Sequence, residues 1–305
     1  MKRAVKLLHN PDRCLVLRLA HLTDPHLTSL HHVRLRDLRR KEWLGYQSWA
    51  KRRRRLHLRE RLDQISAAML SHEPDLICIT GDLVHIGLAD EHAEAMDWLQ
   101  TLGGPERVVV VPGNHDIYTA RAWPEVASRW RDWLRLDQVP THPHDLYPIR
   151  FEMEGVKITL ANTALPMPWY SAEGELGARQ RTELADLLLT GSNMAPNVLL
   201  LHHPPEIAQE AGVRKRKALR DADKAANTLR QVDVILHGHT HHNDQRHYGR
   251  ARVFSTASAS AADASFRIFD LNRSPLGVWG ISTSLYRLRS GTISTEGQES
   301  WLLER

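Results

Sequence analysis

Cysteine is scarce in this chain of 305 residues: there are two, Cys14 and Cys78, both inside apolar runs. Two thiols cannot frame a disulfide-stapled domain, and a chain this long buries about three quarters of its unfolded surface without staples. Both are therefore expected as reduced core residues of a cytosolic protein. Long apolar runs are also missing. No stretch approaches the roughly 18 residues of a membrane span, and residues 1–13 lack the apolar segment and small-residue cleavage site of a secretory leader. No repeat, low-complexity tract or linker divides the chain, so one domain over residues 1–305 is expected. A surplus of one charge is absent too, except in one place. Between residues 31 and 61, twelve Lys or Arg face three acids (Asp37, Glu42, Glu60), a surplus of nine; the whole chain carries +5, so the remainder is acidic by four.

What is present is an alternation. Apolar runs at residues 14–20, 75–80, 107–111, 198–201 and 232–236 read as buried strands, and residues 150–153 and 156–162 read as a hairpin turning at Glu154 and Gly155. Between them, apolar residues recur at helical spacing: Leu58, Leu62, Ile65 and Met69 form one face, and residues 89–102, 121–136, 178–189 and 222–230 continue the pattern. From residue 251 onward only short strands are expected, at 253–255, 266–271 and 278–288. Helices alternating with strands argue for an α/β layered architecture. Trp123, Trp130 and Trp133 recur at helical spacing and are expected to pack, and His21 is expected as a core histidine.

Five of the strands end in residues that ligate metals: Asp24 with His26, then Asp82, Asn114 with His115, His202, and His239 with His241. Sites in open α/β sheets form where strands end and loops converge. Carboxylate and amide oxygen with imidazole nitrogen suits Mn²⁺, Fe or Zn²⁺ and not a thiolate-selecting site. Seven ligands are too many for one tetrahedral ion and enough for two ions sharing a carboxylate; such a pair, about 3.5–4 Å apart, clamps a phosphate during in-line displacement. Gly81, Gly113 and Gly238 fit a crowded centre, because glycine allows close backbone approach or positive φ.

In this order, Asp-x-His at 24–26, Gly-Asp at 81–82, Gly-Asn-His-Asp at 113–116, His-His-Pro-Pro at 202–205 and Gly-His-Thr-His at 238–241 resemble the calcineurin-like metallophosphoesterases, over residues 15–241. The resemblance implies a four-layer sandwich of two mixed β-sheets packed face to face and flanked by helices. It implies that Asp24, His26, Asp82 and His241 hold one divalent ion. Asp82 as bridge, Asn114, His202 and His239 would hold the other. It also places His115 beside the substrate phosphate, as charge stabiliser or as acid to the leaving oxygen, with Asp116 orienting it; an imidazole near neutral pKa suits either task. The nucleophile would be a hydroxide on the metals. His203, His237 and His242 are expected to support ligands or face solvent. The blocks at 202–205 and 238–241 look more like the bacterial branch that includes cyclic-nucleotide and glycerophosphodiester phosphodiesterases and lipid A precursor pyrophosphatases than like protein phosphatases. The alternatives are a Mn²⁺-dependent nuclease and a catalytically silent binding module, and the silent module would show a lost ligand. None is lost.

The basic segment leaves directly from the Asp24/His26 loop. Trp43, Leu44, Tyr46 and Trp49 interleave with its Lys and Arg residues, the composition of an interfacial anchor or an anionic-ligand lid. An anionic membrane surface met through residues 34–61, with a lipid-linked or membrane-proximal phosphate substrate, is the expectation. The same patch can track nucleic-acid phosphates, but its Trp and Leu content favours a lipid interface. A helix end that merely faces solvent is the plainer reading.

Overall fold

The apolar runs become strands, and their neighbours decide the sheets. In a computed structural model that describes residues 14–189 and 195–303, β1 (Cys14–Leu22), β2 (Leu76–Ile79) and β3 (Val108–Val110) lie parallel. The hairpin β4 (Ile149–Met153) and β5 (Val156–Leu160) is succeeded by β6 (Asn197–Leu200), β7 (Val234–His237), β8 (Asp244–Tyr248) and β9 (Ala251–Ser255). Three long antiparallel strands close the chain: β10 (Ser265–Arg273), β11 (Trp279–Arg289) and β12 (Thr292–Leu302). They join the first sheet, with order β12-β11-β10-β1-β2-β3; the second runs β4-β5-β6-β7-β9-β8. Residues 1–13, where no leader is expected, lie outside the described residues.

Strand alternation builds the layers. Val198 and Leu200 of β6 and Val234 and Leu236 of β7 belong to a core shared with Leu19, Ile77 and Val109 of the first sheet. Leu199 and Ile235, one residue out of phase, meet a separate cluster with Leu184, Ala225 and Leu229, on helices Ala178–Leu189 and Ala222–Leu229. Successive side chains of a strand point to opposite faces, so parallel strands covered on both sides are apolar throughout. Helices Arg59–Leu70 and Ala89–Leu102 cover the first sheet with Ile65, Met69, Trp98 and Leu99. The result is the expected sandwich of two mixed sheets flanked by helices.

Four details differ from the sequence reading. Cys14 is exposed, because it is the first residue of β1 where that strand leaves the core; Cys78 is buried, and burial pushes its thiol up to about 12. The helix expected over 121–136 is shorter, Ala122–Arg129, since Trp133 turns its carbonyl to the N–H of Val110 at 3.0 Å. Strands β8 and β12 lack an apolar run because they are sheet edges. Finally, the basic segment is itself helical. Arg40–Ser48, a wider π-type turn at Trp49–Arg53 and Arg54–Leu56 succeed one another. Glu42 anchors this run, accepting the Arg39 N–H at 2.8 Å and pairing with Arg121 at 2.7 Å. Trp49 is buried with Leu30 and Ile86, so it packs and is not an interfacial anchor. Trp123, Trp130 and Trp133 are buried, as expected.

Candidate metal centre

The strand ends are tied together before any ligand is placed. The N–H of Asp24 donates to Gly81 O at 3.0 Å and that of His26 to Asp82 O at 3.1 Å, which fastens the loop after β1 to the loop after β2. Five candidate ligands have left-handed backbone: Asp24, His26, Asp82, His239 and His241, with φ of 51°, 40°, 57°, 69° and 56°. Each such residue costs of the order of 1–3 kcal/mol and persists only where its surroundings over-determine it, which is typical of functional sites. Gly113 is needed for another reason: a Cβ there would collide with the Asp82 carboxylate and backbone nitrogen.

All seven sequence-predicted ligands converge. The ligand atoms of Asp24, His26, Asp82 and His241 lie within 4.8 Å of one another. Around His202 Nε2 stand Asn114 Oδ1 at 3.2 Å, His239 Nδ1 at 3.3 Å and Asp82 Oδ2 at 3.5 Å. Hydrogen bonds on the far side of each ring set the tautomers: His202 Nδ1 donates to Thr80 O at 2.6 Å and His26 Nδ1 to Val84 O at 2.9 Å. Their Nε2 lone pairs therefore face inward, as ligating imidazoles do. Asp24 Oδ2 accepts from Thr23 Oγ1 and from the His239 N–H, while buried Oδ1 has no hydrogen-bond donor among the described residues and lies 3.2 Å from His241 Nε2. His239 Nε2 is likewise buried without a partner among the described residues. Carboxylate oxygens, an amide oxygen and imidazole nitrogens thus crowd one space, a donor set that fits divalent cations. Burial opposes charge on both groups, yet His241 holds Asp24 below the ordinary carboxylate range and Asp82 pushes His202 up to about 9.

His115 sits at the edge of this centre. Its Nδ1 lies 2.5 Å from His85 O and 3.1 Å from Arg53 Nη1. Arg53 only donates, and a nitrogen this close to a carbonyl must carry the hydrogen, so Nδ1 donates to His85 O and Nε2 is left free. Burial and the Arg53 charge hold this imidazole well below its usual value, hence neutral. The expectation that Asp116 orients His115 is corrected. The Asp116 carboxylate accepts the N–H groups of Asp82, Leu83 and Gly113, each at 2.8 Å, and of Val84 at 3.2 Å, which clamps the Gly81–Asp82 turn to the Gly113 turn. Orientation of His115 comes from the His85 carbonyl. His203 is held by Thr163 at 2.8 Å and by Ala172 O, and His21 bonds Thr80 Oγ1 at 2.9 Å in the core.

Sequence reasoning missed the residues that descend from the basic segment. His57 Nδ1 meets Ser260 Oγ at 2.8 Å, and its ring centroid is 4.6 Å from that of His26. One of its nitrogens, with one each from His26 and His241, forms a further close group within 4.8 Å. Arg53 and Lys41 line a cavity of about 190 Å³ that also includes Asn114, His115 and Tyr118. Nothing in the run from Lys51 to Arg55 marks Arg53 as the one that turns inward.

The chain is similar to several known proteins. It is 28% identical over 173 residues to a probable cyclic nucleotide phosphodiesterase of Synechococcus sp., covering 55% of this chain and 58% of that relative's length. A dimetal phosphatase from Danio rerio shares the fold at 13% identity with a TM-score of 0.62, over 92% of this chain and 99% of that one. A purple acid phosphatase from yellow lupin (Lupinus luteus) does so at 10% identity with a TM-score of 0.57, over 93% of this chain and 53% of that one. The calcineurin-like phosphoesterase pattern matches residues 17–243, about three quarters of the chain, and with the converging ligand loops already in place, the chain belongs to the calcineurin-like phosphoesterase family.

Proposed function

We propose that the chain is a binuclear-metal phosphohydrolase, cleaving a phosphodiester, pyrophosphate or phosphomonoester. The observation that carries this reading is Asp82, which among the described residues is the one carboxylate within 4.0 Å of imidazole nitrogens of both groups: its Oδ2 lies 3.9 Å from His26 Nε2 and 3.5 Å from His202 Nε2. Asp24, His26, Asp82 and His241 would hold one ion, and Asp82, Asn114, His202 and His239 the other. The donor set suits Mn²⁺, Fe or Zn²⁺. When bound, such ions activate water and neutralise phosphate charge. The protein's own part is positional. Asp116 clamps the two turns that carry Asp82 and Asn114; Arg53 adds a fixed positive charge beside His115; and His115, free at Nε2, holds a proton in transit at that atom. The family and the name of the Synechococcus relative support a phosphoester substrate. Asp82→Ala tests the core of the reading: metal content by mass spectrometry should fall from two ions per chain to one or none, and hydrolysis of bis(p-nitrophenyl) phosphate should vanish. A wild-type protein that binds two ions and cleaves no phosphoester overturns it.

The membrane part of the proposal rests on a different face. No helix among the described residues is long and apolar enough to cross a membrane. However, Leu35, Trp43, Leu56 and Leu58 are exposed beside Arg36, Arg40, Arg52, Arg54 and Arg55. Each basic residue near an anionic leaflet contributes about 1 kcal/mol, which supports peripheral contact with the inner face of a membrane and a substrate presented there. Reversing Arg52, Arg54 and Arg55 to Glu, while keeping the inward Arg53, should abolish binding to phosphatidylserine vesicles. Absent or salt-insensitive binding by the wild type removes this part. Cleavage of DNA with Mn²⁺ would instead favour the nuclease alternative.

A further inference from the structure

The cavity beside the metal centre carries more positive charge than one phosphoester needs. Four cations line it: Lys41 and Arg53 from the helical insertion, and Arg216 and Lys217 from the loop before helix Ala222–Leu229. Among the described residues none of the four has a carboxylate within 4.0 Å, although carboxylates are available to their neighbours. Arg220 pairs with Glu175, Arg181 with Asp221, and Arg121 takes the Glu42 that comes after Lys41 in the chain. Among the described residues, the Lys41 ammonium meets the carbonyls of Tyr118 and Met167 and the Tyr118 ring, 4.0 Å below its Nζ. Burial pulls Lys41 down to about 8, and burial, Arg53 and Arg216 lower Lys217. Like charges from two distant segments are thus held together with no carboxylate in ion-pair contact; Asp24, Asp82, Glu42 and Glu91 act on them only from beyond 4.0 Å. Elementary charge balance says what they await. Two divalent ions less the two carboxylates Asp24 and Asp82 leave two positive charges, which an activated hydroxide and a single diester neutralise. That leaves the four cations unmatched.

We propose that this cavity is a subsite for a second phosphoryl group, so that the substrate class is an organic diphosphate cleaved at its P–O–P anhydride. The inference rests on the phosphohydrolase reading and narrows it. One phosphoryl group lies at the ligand loops. The other, one bridging oxygen away, lies among Lys41, Arg53, Arg216 and Lys217. A water oxygen bonds to the first phosphorus, the bond from that phosphorus to the bridging oxygen breaks, and the departing phosphate carries the electron pair into the cations. The two protons of the water end on the products or in solvent. Fixed cations at the departing oxygen stabilise charge where it develops. The cavity, at about 190 Å³, is below the roughly 300–1,000 Å³ that encloses a whole drug-sized ligand, which suits a fragment of substrate.

The test uses the full-length, Mn²⁺-loaded protein and its Arg216→Gln/Lys217→Met double variant, two side chains on an exposed loop. Substrates are ADP-ribose, which has the anhydride, and bis(p-nitrophenyl) phosphate, which does not. The ratio of kcat/KM for ADP-ribose over the diester should fall at least about tenfold in the variant, chiefly through KM, as expected for loss of charge-assisted contacts. In EDTA, pyrophosphate should raise the melting temperature of metal-free wild type and leave that of the variant unmoved. An equal loss on both substrates, with pyrophosphate shifting both proteins alike, overturns the subsite and leaves the phosphohydrolase reading intact. If protein holding two ions cleaves neither substrate nor the monoester p-nitrophenyl phosphate, the phosphohydrolase reading falls, and the melting shift alone decides whether the cations bind a diphosphate.

Discussion

The metal centre has a floor and a roof that are built by opposite means. The floor is made of strand ends, where each ligand sits on a loop a few residues from a buried strand and is locked by backbone bonds to its neighbour, as between Asp24 and Gly81 or His26 and Asp82. Its charges are mutually opposed and buried. The roof is a helical insertion that returns over the centre and is held by a separate small cluster around Trp49, Leu30 and Ile86. The charges it turns toward the centre, Lys41 and Arg53, are of one sign and have no carboxylate within 4.0 Å among the described residues. Ligand positions must be held to fractions of an ångström, and rigid strand ends supply that; substrate recognition tolerates an added layer, and an insertion supplies it. The difference separates what the site does to metals from what it does to substrates.

Substitutions can break that division, and the largest effect belongs to the floor. Asp82→Ala removes several kcal/mol of metal-borne stabilisation, so the rate should fall by about 10³-fold or more together with metal content. Arg53→Met is the matching change in the roof: turnover of bis(p-nitrophenyl) phosphate should fall by about 10²-fold, as for a lost fixed donor, with two ions still bound. Loss of an ion from this variant would erase the distinction. Gly113→Ala returns to the floor without replacing a candidate ligand. Because its Cβ meets the Asp82 carboxylate, metal affinity by competitive titration should weaken by about 10- to 100-fold. His57 stands where the two regions meet, and His57→Gln is expected to have the smallest effect, about three- to tenfold weaker binding of one ion, at the low end for groups behind a ligand. An unchanged affinity would place His57 wholly in the roof.

Much of the floor was legible in the chain, and the reasons are local. A run such as Val108–Val110 is apolar because it is covered on both faces, and the loop after it, with Asn114 and His115, is polar because it leaves the sheet at one end. Asp116 shows the limit of that logic. Its adjacency to His115 suggested a partner for the imidazole, but a carboxylate buried among four N–H groups satisfies the backbone first. Edge strands β8 and β12 escaped because one free edge and a wet face remove the apolar pattern. Cys14 misled for a related reason: it belongs to an apolar run yet lies at the strand's exposed end.

By itself, the sequence determined the seven candidate ligands, their order and the layered α/β frame, since ligand chemistry and strand burial are written within a few residues of each other. Only the tertiary structure decided which charges are neutralised. Arg220 finds Glu175 while Lys217, three residues earlier, finds no carboxylate within 4.0 Å among the described residues; Arg53 turns inward while Arg52 and Arg54 face water. Charge compensation depends on distance in space, and residues 41, 53 and 217 become neighbours only after the sheets have closed and the insertion has folded back over them.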